Sequence, residues 1–467
     1  MNHLGIRSWV LNHPARTGTL AGWYQQICGL VATAVTMPFI LNPTVLTPAE
    51  SGVWLTFQST LGLINLTDFG LSLAISRQVA YSFPKGDSSP IELHSDFIET
   101  DSGWAGVAAV FEAGRRLFNW LGVAAGLLIV VIYELVLPLG HLLDQRSSSI
   151  NRAWYLLGAA TLISLQCKLY QGVVDGLGLV YIGRFIFGTS QILSGVLVVT
   201  VLRMQPDLTL LGAVLLAVSV IQFFACRVTL FAVTKGRLRK SAGIEPIPLQ
   251  KVWNVAMPIG LVNSGAFLVS CIQVPLLGSV LGSVAVAPFY LAQRIGQFLM
   301  TGLLQLLSPQ LPLFTHQIAL GRQTAAVVRM KQTMFLVAAA ALVVFATYYM
   351  LSPLVVRFWV GQRRYVDTTT LLILACDYFM MTVAVGHAHF VLSSGRNPFV
   401  ATTLLAGGLN TGLCFYLIGD WGILGIAIAG LIAGLVTNYW FAIWQGFKLL
   451  ANLSKVPSER QIQPVDG

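Results

Sequence analysis

The sequence predicts an all-α integral membrane protein whose twelve transmembrane helices follow one another along 467 residues. Hydrophobic residues make up 55% of the chain and charged residues only 10%. Apolar stretches of about 20 residues, the length that crosses the hydrocarbon core as a helix, alternate with short connections throughout. The predicted spans are 19–41, 53–76, 117–138, 153–175, 182–203, 209–233, 253–279, 284–306, 332–353, 369–392, 398–418 and 421–446.

The basic residues predict the topology of these spans. The chain carries 28 Lys and Arg residues against 18 Asp and Glu, a formal net charge of +10. If the N-terminus is cytoplasmic, most of the cations fall in inner connections, such as Lys235–Lys240, and few fall outside, such as Arg363 and Arg364. The positive-inside rule therefore places both termini in the cytoplasm. The net charge then needs no nucleic-acid partner to explain it.

The basic connection at 235–251 divides the chain into two sets of six spans. We predict an N-lobe at 1–234 with helices 1–6, a cytoplasmic linker at 235–251, and a C-lobe at 252–467 with helices 7–12 and a short cytoplasmic tail. Because six is even, both lobes begin on the cytoplasmic side, so any repeat is parallel about an axis along the membrane normal.

Polar side chains form a stripe on two of the predicted spans, recurring every three or four residues and so sharing one helix face. The stripe of the fourth span consists of Thr161, Ser164, Lys168, Gln171 and Asp175. The stripe of the eighth span consists of Tyr290, Arg294, Gln297, Thr301, Gln305 and Ser308. Two such stripes predict an internal cavity filled by water or ligand. The alternative, in which hydroxyls and amides only bond helices to one another, stays open.

Three cations lie within spans, where an ionisable group is costly unless it faces protein or water. Arg294 is near the middle of its span, too deep for its guanidinium to reach either membrane surface. Arg77 is at the inner end of the second span, where anchoring to lipid headgroups explains it equally well. The residues predicted to line the cavity and bind substrate are Arg294, Lys168, Gln171, Gln297, Thr301, Tyr290, Ser164 and Arg77.

Three carboxylates are candidates for ion pairing or for coupling transport to an ion gradient. Asp68 lies nine residues before Arg77 on the opposite helix face, so the two cannot pair within one helix. Asp377, deep in the tenth span, could pair with Arg294 or take up a proton. Asp175 lies on the stripe of Lys168. A proton or sodium gradient is therefore a possible energy source, and no cofactor is predicted.

No residue pattern predicts a catalytic or metal site. The six cysteines have no paired spacing, and His387 and His389, the closest histidine pair, point to different faces of a helix. The connections between spans are too short to hold an independently folded enzyme domain. We therefore predict a protein that is not an enzyme.

Several segments resemble those of the polysaccharide-transport family of bacterial flippases (Wzx-like), part of the multidrug/oligosaccharidyl-lipid/polysaccharide (MOP) exporter superfamily. Leu46–Trp54 resembles the family's outer turn of Leu-x-x-x-Glu-Tyr-Gly-Leu-Trp type, with Ser51 in place of the aromatic residue. Leu66–Leu71 resembles its Asp-Leu-Gly-Leu motif, which an Arg follows, here Arg77. The looser resemblances are Ser308–Pro312 at a proline-bearing helix end, Ser393–Asn397 at a Gly-Arg turn, and Trp421–Ala429 at the opening of span twelve.

The resemblance implies the fold of multidrug-exporting (MATE) antiporters, two six-helix lobes around a central cavity. It also implies a substrate, an O-antigen (lipopolysaccharide) or exopolysaccharide oligosaccharide on a polyprenyl diphosphate such as undecaprenyl diphosphate, passed from the inner to the outer leaflet. Arg294 and Lys168 would then bind the diphosphate through charge-assisted hydrogen bonds. The implied location is the bacterial cytoplasmic (inner) membrane, and the implied partners are membrane lipids, a polysaccharide polymerase and other export machinery.

Two alternatives stay open. A cation-coupled exporter of amphiphilic small molecules could use the same fold, with acids rather than bases dominating its cavity. A membrane-embedded glycosyl or acyl transferase would present acids or histidines near an interface, often on a long outer loop. The outer connections of this chain are short, and the ion deepest in a span is the cationic Arg294, so a flippase working by alternating access is the principal prediction.

Overall fold

A computed structural model describes residues 14–62, 64, 68, 70–82, 101–136, 148–234, 236–240, 249–307, 310–319, 321–360, 365–394 and 396–454. Every regular element in these residues is a helix. The two chain ends, predicted to be cytoplasmic, and most of the predicted linker 235–251 lie outside the described residues. So does Ser308, the last member of the second polar stripe.

The helices fall into two series along the chain. The first series is α1 (Pro14–Ile40), α2 (Pro48–Gly62), α3 (Leu71–Ser82), α4 (Asp101–Val131, continued by the π-turn Ile132–Val136), α5 (Ser148–Gly176), α6 (Val180–Met204), α7 (Leu208–Val233) and α8 (Arg237–Lys240). The second series is α9 (Leu249–Ser270), α10 (Gln273–Leu281), α11 (Ser283–Leu304), α12 (Gln310–Ala319), α13 (Gln323–Trp359), α14 (Thr368–Ser393), α15 (Val400–Ala433, continued by the π-turn Gly434–Asn438) and α16 (Tyr439–Ser454).

Seven helical stretches of the described residues are long and apolar enough to cross a membrane, which makes the chain a multi-pass membrane protein. They are Trp104–Glu134, Val180–Met204, Leu208–Val233, Ala256–Leu281, Gln323–Trp359, Thr368–Ser393 and Val400–Ser454. Helices α5 and α11 are not among the seven, because their polar stripes lower the mean hydropathy of each helix. The count of twelve crossings and the cytoplasmic placement of the termini stay predictions.

The predicted spans differ from the observed helices at three places, where a helix is interrupted. The second predicted span is divided into α2 and α3, and the seventh into α9 and α10. The last two predicted spans belong to one helical stretch that is interrupted at Gly422, whose φ of 56° lies in the left-handed region. There the chain folds back closely, since a Cβ added to Gly425 would lie 2.5 Å from the carbonyl oxygen of Leu417.

The turn before α2 has a structural explanation. The Thr47 hydroxyl accepts from the backbone N–H of Glu50 at 3.2 Å, and the Glu50 carboxylate accepts from the backbone N–H of Thr47 at 2.9 Å. This reciprocal pair is a capping box, which satisfies N–H groups at the start of a helix. Ser51 is fully buried and donates to the carbonyl of Ile40 at 2.7 Å. These residues of the flippase-like segment therefore start a helix.

The first compact unit comprises the chain up to Ser264 together with Gly278–Val286. At its centre α5 packs against α7, α3 and α4, and α1 packs along α6. The fully buried Trp154 of α5 meets Phe57 of α2 edge to face, with ring centroids 4.8 Å apart. Helix α5, which carries the first polar stripe, is therefore fixed by packing on several sides.

The second compact unit comprises Gly265–Leu277 and the chain from Ala287 onward. Here α14 packs against α13, α15 and α16, and the buried rings of Phe314 and Phe390 meet edge to face at 4.9 Å. The chain passes from one unit to the other within α9, α10 and α11. The lobe bounds at 1–234 and 252–467 stay a prediction.

Candidate functional site

The break between α2 and α3 is organised by Asp68. A helix leaves its first N–H groups without intrahelical partners, and a carboxylate just before the helix can accept from them. One oxygen of Asp68 accepts from the backbone N–H of Ser72 and the other from the Ser72 hydroxyl, both at 3.1 Å. Gly70 turns the chain between them with a φ of 68°, and a Cβ at Gly70 would lie 2.4 Å from Ile259 Cγ2. Asp68 and Gly70 therefore form a tight cap at the start of α3.

Lys168 is the ion partner of Asp68. Its Nζ lies 3.5 Å from Asp68 Oδ2, with 25% of the lysine side chain and 10% of the aspartate side chain exposed. Two glycines of α5 bring the helices together, since a Cβ at Gly172 or Gly176 would lie 2.6 Å from a carbonyl oxygen of α3. Small residues four apart on a helix face allow this close packing of two helices. This ion pair therefore connects the polar stripe of α5, through Lys168, to the break between α2 and α3, through Asp68.

The other members of the first stripe are half-buried. These members are Thr161, Ser164, Gln171 and Asp175. Gln171 and Asp175 lie beside Gly183 at the start of α6, and Arg184 next to it is in electrostatic range of Asp175. Asp175 Oδ1 is buried without a hydrogen-bond partner among the described residues. The stripe therefore ends in a carboxylate that the fold does not fully satisfy.

The second stripe lies on α11 and places Arg294 in an accessible position. Arg294 is exposed, and Tyr290, Gln297 and Thr301 beside it on the same helix face are half-buried. Among the described residues no carboxylate forms an ion pair with the Arg294 guanidinium. The ion pair with Asp377, one of the predicted alternatives, is not formed between these two described residues. A guanidinium without a protein counter-ion is available to an anionic ligand.

Two members of the second stripe also bond to protein. Gln297 Nε2 donates to the carbonyl of Ser270 at 3.1 Å, and the Thr301 hydroxyl donates to the Gln297 carbonyl of its own helix at 2.7 Å. The helix-bonding alternative therefore holds for the Gln297 amide, while the Thr301 oxygen still has acceptor capacity. No partner of the Tyr290 hydroxyl is found in the described part of the chain.

The break between α9 and α10 is satisfied by amide donors. A helix end leaves its last carbonyls without partners. Gln293 Nε2 donates to Ser270 O at 2.8 Å, and Asn410 Nδ2 donates to Leu268 O at 2.7 Å and to Val269 O at 3.2 Å. Gln293 and Asn410 are both buried. This second unit therefore pairs the carbonyls of the break with neutral side chains.

Asp377 lies in the same unit and bonds to Tyr439, whose hydroxyl donates to Asp377 Oδ1 at 2.6 Å. A Cβ added to Gly430 would lie 2.9 Å from Gln273 Nε2, 3.6 Å from Asp377 Oδ2 and 3.8 Å from Asn410 Oδ1. Polar atoms of three helices thus converge above one glycine. The site is a buried carboxylate within a network of neutral donors and acceptors.

No ion pair of Arg77 is found among the described residues. Arg77 is exposed on α3, on the side of the helix that also exposes Leu73 and Ala80. Its predicted part in substrate binding stays a prediction, as does anchoring at a headgroup. No group of three or more His, Cys, Asp or Glu residues in the described ranges could hold a metal ion.

Four residues of the second unit's network were not predicted as site residues: Gln273, Gln293, Asn410 and Tyr439. They occur singly in apolar stretches and form no stripe with one another. The rarity of amides in apolar spans is a signal that could have identified Gln273, Gln293 and Asn410, since such a group requires a partner in the membrane.

Comparison with known proteins places the fold. No family model and no curated protein matches the sequence. Among solved structures, an inward-facing multidrug resistance MATE transporter of the MOP superfamily matches with a TM-score of 0.69 at 16% identity, over 92% of this chain and 96% of that one. The lipid II flippase MurJ, in an inward closed conformation, matches with a TM-score of 0.65 at 11% identity, over 94% and 89%.

A third similar structure is a MOP superfamily transporter from Pyrococcus furiosus, described as having a reverse polarity of its binding pocket that suggests a different function. Its TM-score is 0.61 at 15% identity, over 96% of this chain and 98% of that one. The three matches cover nearly the whole chain. The chain therefore has the fold of MOP superfamily transporters, which include exporters and a lipid flippase.

Proposed function

We propose that this chain is a flippase that moves an oligosaccharide linked to polyprenyl diphosphate from the inner to the outer leaflet of a bacterial cytoplasmic membrane. The observation that carries the proposal is the exposed Arg294 guanidinium, which has no counter-ion among the described residues although it lies in the middle of a predicted membrane span. A charge in that position is costly unless it has water or a ligand beside it.

A diphosphate headgroup fits the chemistry of this cation. The planar fork of an arginine matches phosphate oxygens in a bidentate arrangement, and charge-assisted hydrogen bonds of this kind are about twice as strong as neutral ones. Lys168 is the second cation that we assign to the headgroup, at another stage or another part of its route. The polyprenyl tail, being apolar, can remain in the lipid.

The sugars would be accompanied by neutral polar groups. Ser164 and Gln171 on α5, with Tyr290 and Thr301 on α11, offer half-buried hydroxyls and an amide. Such groups hydrogen-bond to sugar hydroxyls without requiring one geometry, which suits a cargo that moves. We further propose alternating access by rocking of two six-helix lobes with cytoplasmic termini, and hand-over to a polysaccharide polymerase on the outer side.

A second candidate is a cation-coupled exporter of amphiphilic small molecules. The observation that favours it is the buried Asp377, surrounded by Tyr439, Gln273 and Asn410, since a carboxylate in such a network can take up a proton or sodium ion. The same residues could instead couple a flippase to the proton or sodium gradient. Asp377 is therefore compatible with both candidate functions. The two functions differ in the molecule that binds at Arg294, which is an anionic lipid headgroup for the flippase and not for the exporter.

The test is transport of a labelled polyprenyl-diphosphate oligosaccharide in proteoliposomes by Arg294→Ala, with Arg294→Lys and Arg357→Ala beside it. Arg357 is another exposed arginine, in the last turn of α13. We expect Arg294→Ala to lower the rate by about tenfold or more, Arg294→Lys to retain part of it, and Arg357→Ala to behave as wild type. Unchanged transport by Arg294→Ala, or transport of amphiphilic cations alone, would contradict the proposal.

A further inference from the structure

We propose that Lys168 is an exchangeable arm, which pairs with Asp68 in the empty protein and transfers its ammonium group to the diphosphate of the substrate, while Asp68 stays behind. This inference rests on the proposed function for its ligand class. It assigns to Asp68 the role of a resting counter-ion that competes with the ligand for Lys168.

Asp68 can release Lys168 because its carboxylate has other donors. One oxygen accepts from the Ser72 backbone N–H and the other from the Ser72 hydroxyl. A buried carboxylate left without partners carries a large desolvation cost. Since each oxygen of Asp68 keeps a donor from Ser72, departure of the lysine removes the charge pairing only.

Lys168 is the mobile partner of the pair. The Nζ to Oδ2 distance of 3.5 Å is longer than the 2.7–2.9 Å of a strong charge-assisted hydrogen bond. The lysine side chain is 25% exposed, against 10% for the aspartate, so a ligand can reach the ammonium more easily than the carboxylate. A lysine also carries its charge on a flexible four-carbon stem.

The backbone around the pair is fixed, so the exchange requires motion of the lysine side chain alone. Gly172 and Gly176 hold α5 against the carbonyls of α3, leaving no space for even a methyl group. Gly70, in the left-handed region and in contact with Ile259, fixes the turn that presents Asp68. The counter-ion therefore keeps its place whether or not Lys168 is bound to it.

This arrangement would make binding depend on the charge of the ligand. The empty protein holds a neutral pair, which avoids an isolated cation within the membrane. A ligand must then outcompete one carboxylate, which a diphosphate does more readily than a singly charged headgroup. Asp68 thus acts as a positioning residue that sets the threshold of anionic charge for binding by Lys168.

The experiment measures the Kd of inorganic diphosphate for the purified full-length chain in nanodiscs by calorimetry. Removing the competitor in Asp68→Asn should tighten binding about three- to fivefold, the effect of one partly exposed ion pair. Ser72→Ala should weaken binding about twofold, because Asp68 then depends more on Lys168. Ser76→Ala, one turn further along α3, is the matched control and should leave the Kd unchanged.

Lys168→Gln separates exchange from general electrostatics. In the Lys168→Gln protein, adding Asp68→Asn should leave the Kd of diphosphate unchanged. An equal tightening of binding with and without Lys168 would overturn the exchange. An unchanged Kd in the single variant Asp68→Asn would also overturn it. If Lys168→Gln fails to fold, the exchange is still tested by the other two variants, because Asp68→Asn should lower the Kd of diphosphate and Ser72→Ala should raise it. If diphosphate binding is lost in Arg294→Ala but does not change in Asp68→Asn, the exchange is overturned and the proposed function is not. Absence of diphosphate binding in wild type overturns both the exchange and the proposed function.

Discussion

Each compact unit contains a break in a predicted membrane span, and the two breaks are satisfied in opposite ways. In the first unit one free N–H at the start of α3, that of Ser72, donates to the carboxylate of Asp68, which also pairs with Lys168. In the second unit the free carbonyls at the end of α9 are met by the amides of Gln293 and Asn410. A donor group needs an acceptor and a carbonyl needs a donor, so the two breaks require different side chains.

This difference indicates at which break a side chain can exchange its partner for a ligand. The carboxylate of Asp68 is an anion and therefore attracts the cation of Lys168. A ligand with more negative charge can compete with Asp68 for that cation. An amide that satisfies carbonyls is neutral, and removing it leaves buried carbonyls without a partner. We therefore expect the first break to be the exchangeable one and the second to be the rigid one.

The largest expected effect is on the amide-bonded break. Asn410→Leu removes the donor to Leu268 and Val269 at a fully buried position, and should lower the free energy of unfolding by about 2 to 3 kcal/mol. The measurement is the thermal midpoint in one detergent. Thr411→Val is the control, since among the described residues the Thr411 hydroxyl bonds only to the Gly407 carbonyl of its own helix. Equal losses in the two variants would contradict the rigidity of this break.

Close packing of α5 on α3 gives the next effect. Gly172→Ala places a methyl group 2.6 Å from the Ser72 carbonyl oxygen, so α3 must move, at a cost of about 2 kcal/mol. Gly126→Ala is the matched control, because its nearest neighbour, Leu162 Cδ1, lies at an ordinary 3.8 Å. Thermal midpoints of the two proteins should differ clearly. If they coincide, the fixed backbone assumed for the Asp68–Lys168 exchange is wrong.

A smaller effect is expected at the buried carboxylate of the second unit. Tyr439→Phe removes the 2.6 Å bond to Asp377 and should cost about 1 to 1.5 kcal/mol, since one donor to the carboxylate is lost. Tyr349→Phe serves as the control, because the Tyr349 hydroxyl bonds to no described residue. Chemical unfolding in lipid–detergent micelles would resolve the difference. A stability unchanged by Tyr439→Phe would place this bond outside the structural network.

The smallest expected effect is on the charged break. Asp68→Asn leaves an oxygen that can still accept from Ser72, and it breaks a partly exposed ion pair, so the loss should stay below about 1 kcal/mol. Glu112→Gln, which breaks the surface pairs with Arg115 and Arg116, should have a similarly small effect. A loss above about 2 kcal/mol in Asp68→Asn would show that the pair is structural, and the contrast between the two breaks would fail.

Hydropathy and spacing predicted the features that depend on neighbours along the chain. The stripe of α5 and the part of the second stripe from Tyr290 to Thr301 on α11 each share one helix face, because side chains at three- and four-residue spacing do so in any α-helix, whereas Gln305 lies beyond the end of α11. The same stripes lowered the mean hydropathy of these helices, so a purely apolar criterion misses them. The breaks at Asp68 and after Ser270 were not predicted, since an apolar stretch gives no local signal of where its helix is interrupted.

The sequence by itself determined that the chain crosses a membrane as helices, because a long apolar segment in lipid must satisfy its own backbone hydrogen bonds. It also determined that polar groups lie on single faces of two of them. Only the tertiary structure decided that Lys168 meets Asp68, that Asp377 meets Tyr439, and that Arg294 has no described counter-ion. Such pairings join residues far apart in the chain, so they follow from how helices pack rather than from the order of residues.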